Sequence, residues 1–327
     1  MAILLTGAAG FIGLHVAEAL LARGETVIGV DNLTPYYDVR LKEARLARLT
    51  ARAGFSFHRV DIADRAALDA VVDRHPAITG IIHLAAQAGV RHSLVDPYSY
   101  VHANVMGQVV LLEAARRLAR LAHFVYASSS SVYGGNRKLP FAIEDPTDHP
   151  VSLYGATKKA DELIVQAYSH LFRLPCTGLR FFTVYGPWGR PDMAYYLFTR
   201  AIFAGEPIRL FNGGDMRRDF TYIDDIVQGV VAALDRPPAD TGPDQAPHRV
   251  YNLGNHRAEN LRDFIAAIER ATNAKATLVE EPMQPGDVRA TLADIAASER
   301  DLGFRPSTAI DAGVPRFVAW YREYHGV

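Results

Sequence analysis

The feature that most limits what this chain can become lies at its start. Residues 2–6 (AILLT) are a short apolar run, and they lead straight into Thr6-Gly7-Ala8-Ala9-Gly10-Phe11-Ile12-Gly13. After that turn Ile12, Val16, Ala19 and Leu20 keep helical spacing until Gly24 ends the pattern. A strand, a turn of small residues and a helix, in that order, bring free N–H groups and the positive end of a helix dipole to one point. Small residues there let an anionic group approach the backbone. The glycine spacing is G-x-x-G-x-x-G, and such a triplet alone also serves as an ordinary tight turn. The next apolar run, residues 25–32 (ETVIGVDN), carries Asp31, 24 residues after Gly7. An acidic residue at the end of a second strand accepts hydrogen bonds from adenosine ribose hydroxyls. A 2′-phosphate would be repelled by Asp31, and no arginine stands beside it, so the pattern favours NAD over NADP.

Further short runs rich in β-branched or aromatic residues follow: FSFHRVDI, TGIIHLAA, HFVYASS and CTGLRFFTVYG, the last read as one sixth strand. Helical stretches separate most of them, for example 104–119 and 154–172. Alternating strands and helices imply an α/β fold with a doubly wound, Rossmann-like parallel sheet. After residue 187 the texture changes to a Pro/Gly loop (PWGRPDM), a helix near 193–205, the run PIRLF, and a helix over YIDDIVQGVVAALD. Residues 236–249 read as an exposed loop, RVYNLGN as a strand, DFIAAIERATN as a helix, and VPRFVAWYREYH as an amphipathic close. The expected organisation is a sheet domain over 1–186, rejoined by a strand near 249–255, and a smaller mixed α/β domain over 187–327.

Composition excludes several classes. With 327 residues, 49% hydrophobic and 22% charged, the chain can bury a sizeable core and is not a disordered one. A net charge of −1 gives no reason to expect nucleic acid or an anionic membrane as partner. The single cysteine, Cys176, excludes a disulfide framework and a cysteine-clustered metal site, so no metal is expected and a reducing compartment is the simpler setting. No apolar run reaches membrane-spanning length, the N-terminus does not read as a signal peptide, and a cytoplasmic location is expected.

Two further motifs carry chemistry. In Tyr154-Gly155-Ala156-Thr157-Lys158 the phenol and the ammonium share one helical face. A phenol can serve as a base near neutral pH only if a nearby positive charge favours its ionised form, and the lysine is such a charge. The bland alternative is a surface tyrosine beside a solvated lysine. In Ala127-Ser128-Ser129-Ser130-Ser131-Val132-Tyr133-Gly134 a serine run ends the fifth strand, where open α/β sheets bind ligands. No G-x-S-x-G elbow surrounds it, so a nucleophilic serine is not expected. The bland alternative is a Ser-rich loop.

Together these motifs resemble the extended short-chain dehydrogenase/reductases of the nucleotide-sugar epimerase and dehydratase group, over essentially the whole length. That resemblance implies Tyr154 as catalytic base, Lys158 as the residue positioning the nicotinamide ribose, and Ser129, 25 residues before the tyrosine, as an assisting hydroxyl. It implies a cofactor site formed by Gly7, Gly10, Phe11, Ile12, Gly13, Asp31, Asn32, Asp61, Ile62, Leu84, Ala85, Ala86, Gln87, Asn104, Tyr154 and Lys158. It also implies a homodimer built on the helices near 104–119 and 154–172.

The substrate expectation rests on the same resemblance. Arg218 of Arg218-Asp219-Phe220 and Arg289 of Pro285-Gly286-Asp287-Val288-Arg289 match arginines that bind a nucleotide diphosphate, a role suited to the planar guanidinium. Arg91 is a further candidate, and Arg217 reads as a surface residue. The runs Tyr185 to Met193 (YGPWGRPDM) and Thr34 to Lys42 (TPYYDVRLK) are similar to those of UDP-glucuronate 4-epimerases. This implies a UDP-sugar substrate, with Thr183 and Arg190 near its uronate. Tyr154 would take the 4-hydroxyl proton while C4 passes hydride to bound NAD, and both would return on the opposite face. The 4-keto intermediate of a uronate is a β-keto acid, prone to lose CO₂, and Ser129, Ser130 and Thr183 are expected to hold the carboxylate out of alignment. A related decarboxylase or dehydratase carries acidic residues where this chain has Ser130 and Ser131. The decarboxylase stays as the alternative, followed by a UDP-glucose/UDP-galactose 4-epimerase and then a non-catalytic NAD-binding protein. His83 and Cys176 read as core residues, and Leu41 to Arg52 as a solvated basic helix, with a cover over the nucleotide as its alternative role.

Overall fold

The computed structural model of the chain describes residues 1–283 and 288–327. It opens with β1 (Ala2–Thr6), α1 (Phe11–Ala22), β2 (Thr26–Asp31), α2 (Val39–Thr50), β3 (Phe55–Arg59) and α3 (Arg65–Arg74). Next come β4 (Gly80–His83), α4 (Pro97–Tyr100), a π-helical stretch Val101–Met106, and α5 (Gly107–Ala115). Then follow β5 (His123–Ser129), a 3₁₀ turn Ser130–Tyr133, α6 (Leu153–Phe172), β6 (Cys176–Phe181), β7 (Thr183–Tyr185) and α7 (Ala194–Ala204). The chain continues through β8 (Ile208–Phe211), β9 (Arg217–Tyr222), α8 (Ile223–Leu234), β10 (His248–Leu253), β11 (Ala258–Asn260), α9 (Leu261–Thr272) and β12 (Leu278–Glu281). It closes with α10 (Ala296–Leu302) and α11 (Ile310–His325).

The main sheet has seven parallel strands in the order β10-β6-β5-β4-β1-β2-β3. The chain winds outward from β1 to β3, then returns to lay β4 on the other side of β1. That reversal opens a crevice at the carboxyl ends of the strands. Both faces of the sheet are covered, which is why AILLT is apolar without alternation. Ile3 and Leu5 join the core that includes α1, α8 and α11, whereas Leu4 joins the core with α3, α5 and α6.

The run CTGLRFFTVYG is two strands, not one. β6 ends at Phe181, and β7 belongs to a separate three-stranded sheet in the order β11-β9-β7. Between them Phe182 packs near the rings of Tyr133 and Phe141 as the chain steps off the main sheet. A second small sheet pairs β12 with β8. β10 runs beside β6, so residues 248–253 belong to the main sheet although they follow α8.

α2 differs from the solvated basic helix expected of it. Lys42 is 6% exposed and Arg45 is fully buried. Its N-terminus is capped by Asp38, whose carboxylate accepts from the Arg40 N–H.

Candidate active site

The glycine turn is shaped by space as much as by charge. Gly7 has φ +73°, and its N–H donates to Val30 O at 2.8 Å. A Cβ on Gly13 would lie 2.0 Å from Gly7 O, and one on Gly7 would lie 2.7 Å from Ala85 N. Neither position tolerates a side chain, so α1 begins hard against the turn. Gly10 caps α1 without a side-chain hydrogen bond, which leaves the first N–H groups of the helix to face the crevice. Asp31 is 7% exposed, and its carboxylate accepts from Leu33 N (2.8 Å) and Ala9 N (3.2 Å). The acid is therefore held by the backbone on both sides of the turn.

A single cavity of about 1240 Å³ occupies the crevice. The expected catalytic, cofactor and substrate residues all line it, except Asn104 and Arg289. Asn104 is 1% exposed and spends its amide on other contacts: Oδ1 accepts from Gln87 N, while Nδ2 donates to Gln87 O and to Thr157 Oγ1. It pins the loop after β4 to α6 instead of facing the cavity. Arg289 is exposed, and its carbonyl accepts from Arg217 N and Arg218 Nη1. Its neighbours Pro285, Gly286 and Asp287 lie outside the described residues.

Tyr154 is the second residue of α6. Ser152 caps that helix by accepting from Gly155 N at 3.0 Å. A Cβ on Gly155 would lie 2.6 Å from Ser131 O, so this glycine lets the helix close onto the serine run. The Tyr154 ring meets Tyr100 edge-on at 6.1 Å. One turn on, Lys158 is 2% exposed, and Nζ donates to Ala127 O (3.0 Å) and to Asp161 Oδ2 (3.1 Å). An ammonium has three N–H bonds, so one remains for the cavity that Lys158 lines. Burial lifts the Asp161 carboxyl to about 6 against the opposing pull of Lys158. Beneath the lysine, burial and then the Lys158 charge hold His83 down to about 3. That imidazole stays neutral and bonds Thr6 Oγ1 at 2.7 Å, the core role expected of it.

The serine run divides its labour. Ser128 Oγ donates to Glu162 Oε1 at 2.6 Å, and Glu162 forms a buried two-point ion pair with Arg180 at 2.8 and 2.9 Å. Ser129 caps the 3₁₀ turn by accepting from Ser131 N. On the far side of the cavity β9 alternates its residues. Arg218 reaches the cavity, and Asp219 turns inward, accepting from Asn255 N, Ala293 N and Thr221 Oγ1. Arg217 is exposed, as its surface reading required. Arg91 lies over the Phe211 ring at 4.7 Å.

Arg190 pairs with Asp192 (Nη2–Oδ2 2.5 Å), and Tyr36 OH donates to the same oxygen at 3.0 Å. Burial resists ionisation of Asp192, but the Arg190 guanidinium outweighs it and holds the carboxyl below its ordinary value. Sequence reasoning missed Arg45, Lys42 and the Tyr36–Asp192 contact. Tyr36, Lys42 and Asp192 stood in runs already singled out. Arg45 gave no signal, because its partners lie in distant segments.

A dinucleotide-binding α/β sheet that carries a Tyr-x-x-x-Lys pair and a serine run at its carboxyl edge is a short-chain dehydrogenase/reductase site. Residues 3–254 match the NAD dependent epimerase/dehydratase family, and the chain belongs to it. It is 48% identical to UDP-glucuronate 4-epimerase 3 of Arabidopsis thaliana, over 99% of this chain and 77% of that protein. It is 46% identical to Protein CapI of Staphylococcus aureus over 99% of each. Among solved structures it is similar to the Bacillus cereus UDP-glucuronic acid 4-epimerase in complex with UDP-glucuronic acid and NAD. That likeness has a TM-score of 0.89 and 34% identity, and covers 99% of this chain and 100% of that one.

Proposed function

We infer that the chain catalyses NAD-dependent 4-epimerisation of UDP-glucuronate to UDP-galacturonate through a transient 4-keto sugar. The observation that carries this reading is the convergence of Tyr154, Lys158, Ser129, the glycine turn and Arg218 on one cavity. Relatives at 46–48% identity that are named as UDP-glucuronate 4-epimerases support the substrate.

The crevice suits NAD: the glycine cradle leaves no room for a Cβ, the first N–H groups of α1 are free for a diphosphate, and Asp31 is fixed to accept from ribose hydroxyls. Bound NAD supplies the hydride acceptor and donor at C4. In this reading Lys158, held by Ala127 O and Asp161, orients the nicotinamide ribose and keeps a positive charge beside Tyr154. Tyr154 takes the 4-hydroxyl proton and returns it after the 4-keto sugar has turned its other face. Ser129 donates to the C4 oxygen. Arg91 and Arg218 serve the UDP diphosphate, Arg289 supports Arg218 through its carbonyl, and Ser130, Thr183 and Arg190 serve the uronate. No acidic side chain stands at Ser130 or Ser131, so a proton-transfer group for elimination is missing there.

The test is incubation with UDP-glucuronate without added reductant, followed by proton NMR. A mixture of the two uronates is expected. A UDP-pentose with CO₂ would instead make the chain a decarboxylase, and no conversion of either kind would remove the reading. Tyr154→Phe should retain NAD and lose turnover at least about 10²-fold.

The proposal extends to a homodimer through α6 and the continuous run of α4, the π-helical stretch and α5. Tyr98, Val101, Met106, Leu163 and Leu171 are 84%, 50%, 52%, 58% and 67% exposed on these elements, and a second copy would cover them. Light scattering should give twice the 35.9 kDa chain mass, and Leu163→Glu should return it to a monomer. A monomeric parent protein would end this part of the proposal. A cytoplasmic setting belongs to the same reading, in keeping with one buried, unbridged cysteine.

A further inference from the structure

Arg45 is the largest fully buried side chain of the described residues. Its guanidinium donates in three directions. Nε and Nη2 reach Trp188 O at 3.0 and 2.6 Å, and Nη2 also reaches Gly189 O at 2.9 Å. Nη1 reaches Ala9 O at 3.2 Å and Tyr37 OH at 2.6 Å. The five N–H bonds of a guanidinium are thereby matched by five contacts. None of these partners is a carboxylate: the buried cation is held by carbonyl and hydroxyl dipoles alone. A buried charge in such surroundings is costly, and an anion brought nearby lowers that cost.

The segments it joins are the ones that meet the two reactants. Ala9 lies in the glycine turn. Tyr37 follows Tyr36, whose hydroxyl holds Asp192. Trp188 and Gly189 immediately precede Arg190, which lines the cavity. This loop is under local strain. Trp188 has φ +62°, a left-handed conformation that strains a non-glycine residue. Its carbonyl is the one that accepts twice from Arg45. His15 of α1 adds a second tie, bonding Pro187 O at 3.0 Å. A Cβ on Gly189 would lie 2.2 Å from Tyr195 OH, so the loop has little freedom to find another path.

We propose that Arg45 is a positioning residue that couples the dinucleotide turn to the sugar-side loop, so that NAD and the UDP-uronate tighten each other's binding. The inference rests on the functional reading above. Arg45 touches neither reactant in this account. It transmits through the carbonyls of Ala9 and Trp188, and the coupling is reciprocal by thermodynamic necessity. Lysine cannot replace it: a point charge on a flexible stem does not span acceptors on three segments.

The test follows release of NAD from the holoenzyme after dilution, alone, with saturating UDP, and with saturating UDP-glucuronate. UDP lacks the sugar that reaches Arg190 and serves as the control. In the parent protein UDP-glucuronate should slow NAD release at least about fivefold more than UDP does. In Arg45→Lys and Arg45→Met that difference should vanish, whereas the UDP effect persists. Should neither variant yield holoenzyme, Tyr37→Phe, which removes one acceptor, should narrow the same ratio. Amide exchange on the parent holoenzyme gives a second readout, since UDP-glucuronate should slow exchange in 186–193 and in 7–13 together. A ratio unchanged in the variants, a parent ratio near one, or protection confined to one segment would each overturn the proposal. Failure to bind or turn over UDP-glucuronate at all would instead overturn the functional reading.

Discussion

Thr183 shows how one position can carry a chemical hazard. It opens β7, lines the cavity, and pairs in register with Phe220, while Val184 beside it is buried. If its hydroxyl holds the uronate away from alignment with the 4-keto group, Thr183→Val keeps the shape and removes the hydrogen bond. The expected outcome is a rise in CO₂ release, with UDP-pentose growing from a trace to a tenth or more of product on the order of the 1–2 kcal/mol such a bond supplies. NMR partitioning between C4 epimer and pentose checks it, and unchanged partitioning refutes the role. Residues of this kind were legible where the chemistry demands a residue type at a set spacing, as for Gly7, Gly13, Tyr154 and Lys158. Arg45 was not legible. Its neighbours in sequence, Lys42, Arg48 and Arg52, describe a basic amphipathic helix, and the acceptors that bury it lie as far off as residue 189.

At the scale of elements, α6 is where sequence and structure agree most closely. A cap at Ser152, a glycine at 155 and an amphipathic stretch to Phe172 place Tyr154 and Lys158 on the cavity side. Its other anchor is the buried Glu162–Arg180 pair, reinforced by Ser128 and by Tyr133 OH at 3.0 Å from Arg180. Burial resists ionisation of Glu162, and the hydrogen-bonded Arg180 overcomes it, so the carboxyl stays below its ordinary value. Glu162→Leu leaves Arg180 buried without its counter-charge and should cost about 3–5 kcal/mol in denaturant unfolding. A loss under about 1 kcal/mol would mean that the network is not an anchor. The elements misread from sequence are those whose boundaries depend on a neighbour. CTGLRFFTVYG has uniform strand character, and only the divergence of its partners, β5 and β10 for one half and β9 for the other, divides it at Phe182. β9 itself, RRDFTY, carries too many charges to read as a strand until Asp219 is seen to be buried among backbone donors.

Across the whole molecule, the buried imidazoles set a response to acid. His123 is 2% exposed between Leu234 O and Thr177 Oγ1, and burial holds it down to about 4 against the Leu234 hydrogen bond. An unfolded chain takes up that proton near 6.5, so between about 6.5 and 4 the unfolded state binds more protons and the fold loses stability as pH falls. The full window is worth about 3 kcal/mol at most. Asp161 and Asp219, lifted by burial to about 6 each, act in the opposite sense over an overlapping range, so the comparison must isolate one group. His123→Gln should flatten the fall in melting temperature between pH 6.5 and 4.5 relative to the parent protein. Parallel curves would show that the imidazole is not the source. The chain's own order of residues determined the doubly wound class, the glycine turn, the acidic stop at Asp31 and the Tyr154–Lys158 face, because each follows from local spacing and from steric rules that act within a few residues. Tertiary structure alone decided which arginine is buried, that Asn104 braces a loop instead of facing the cavity, and how residues 186–193 meet the glycine turn. Those outcomes depend on desolvation and on hydrogen-bond partners in other segments, 53 residues away for Asn104 and 144 for Arg45, and no local pattern records them.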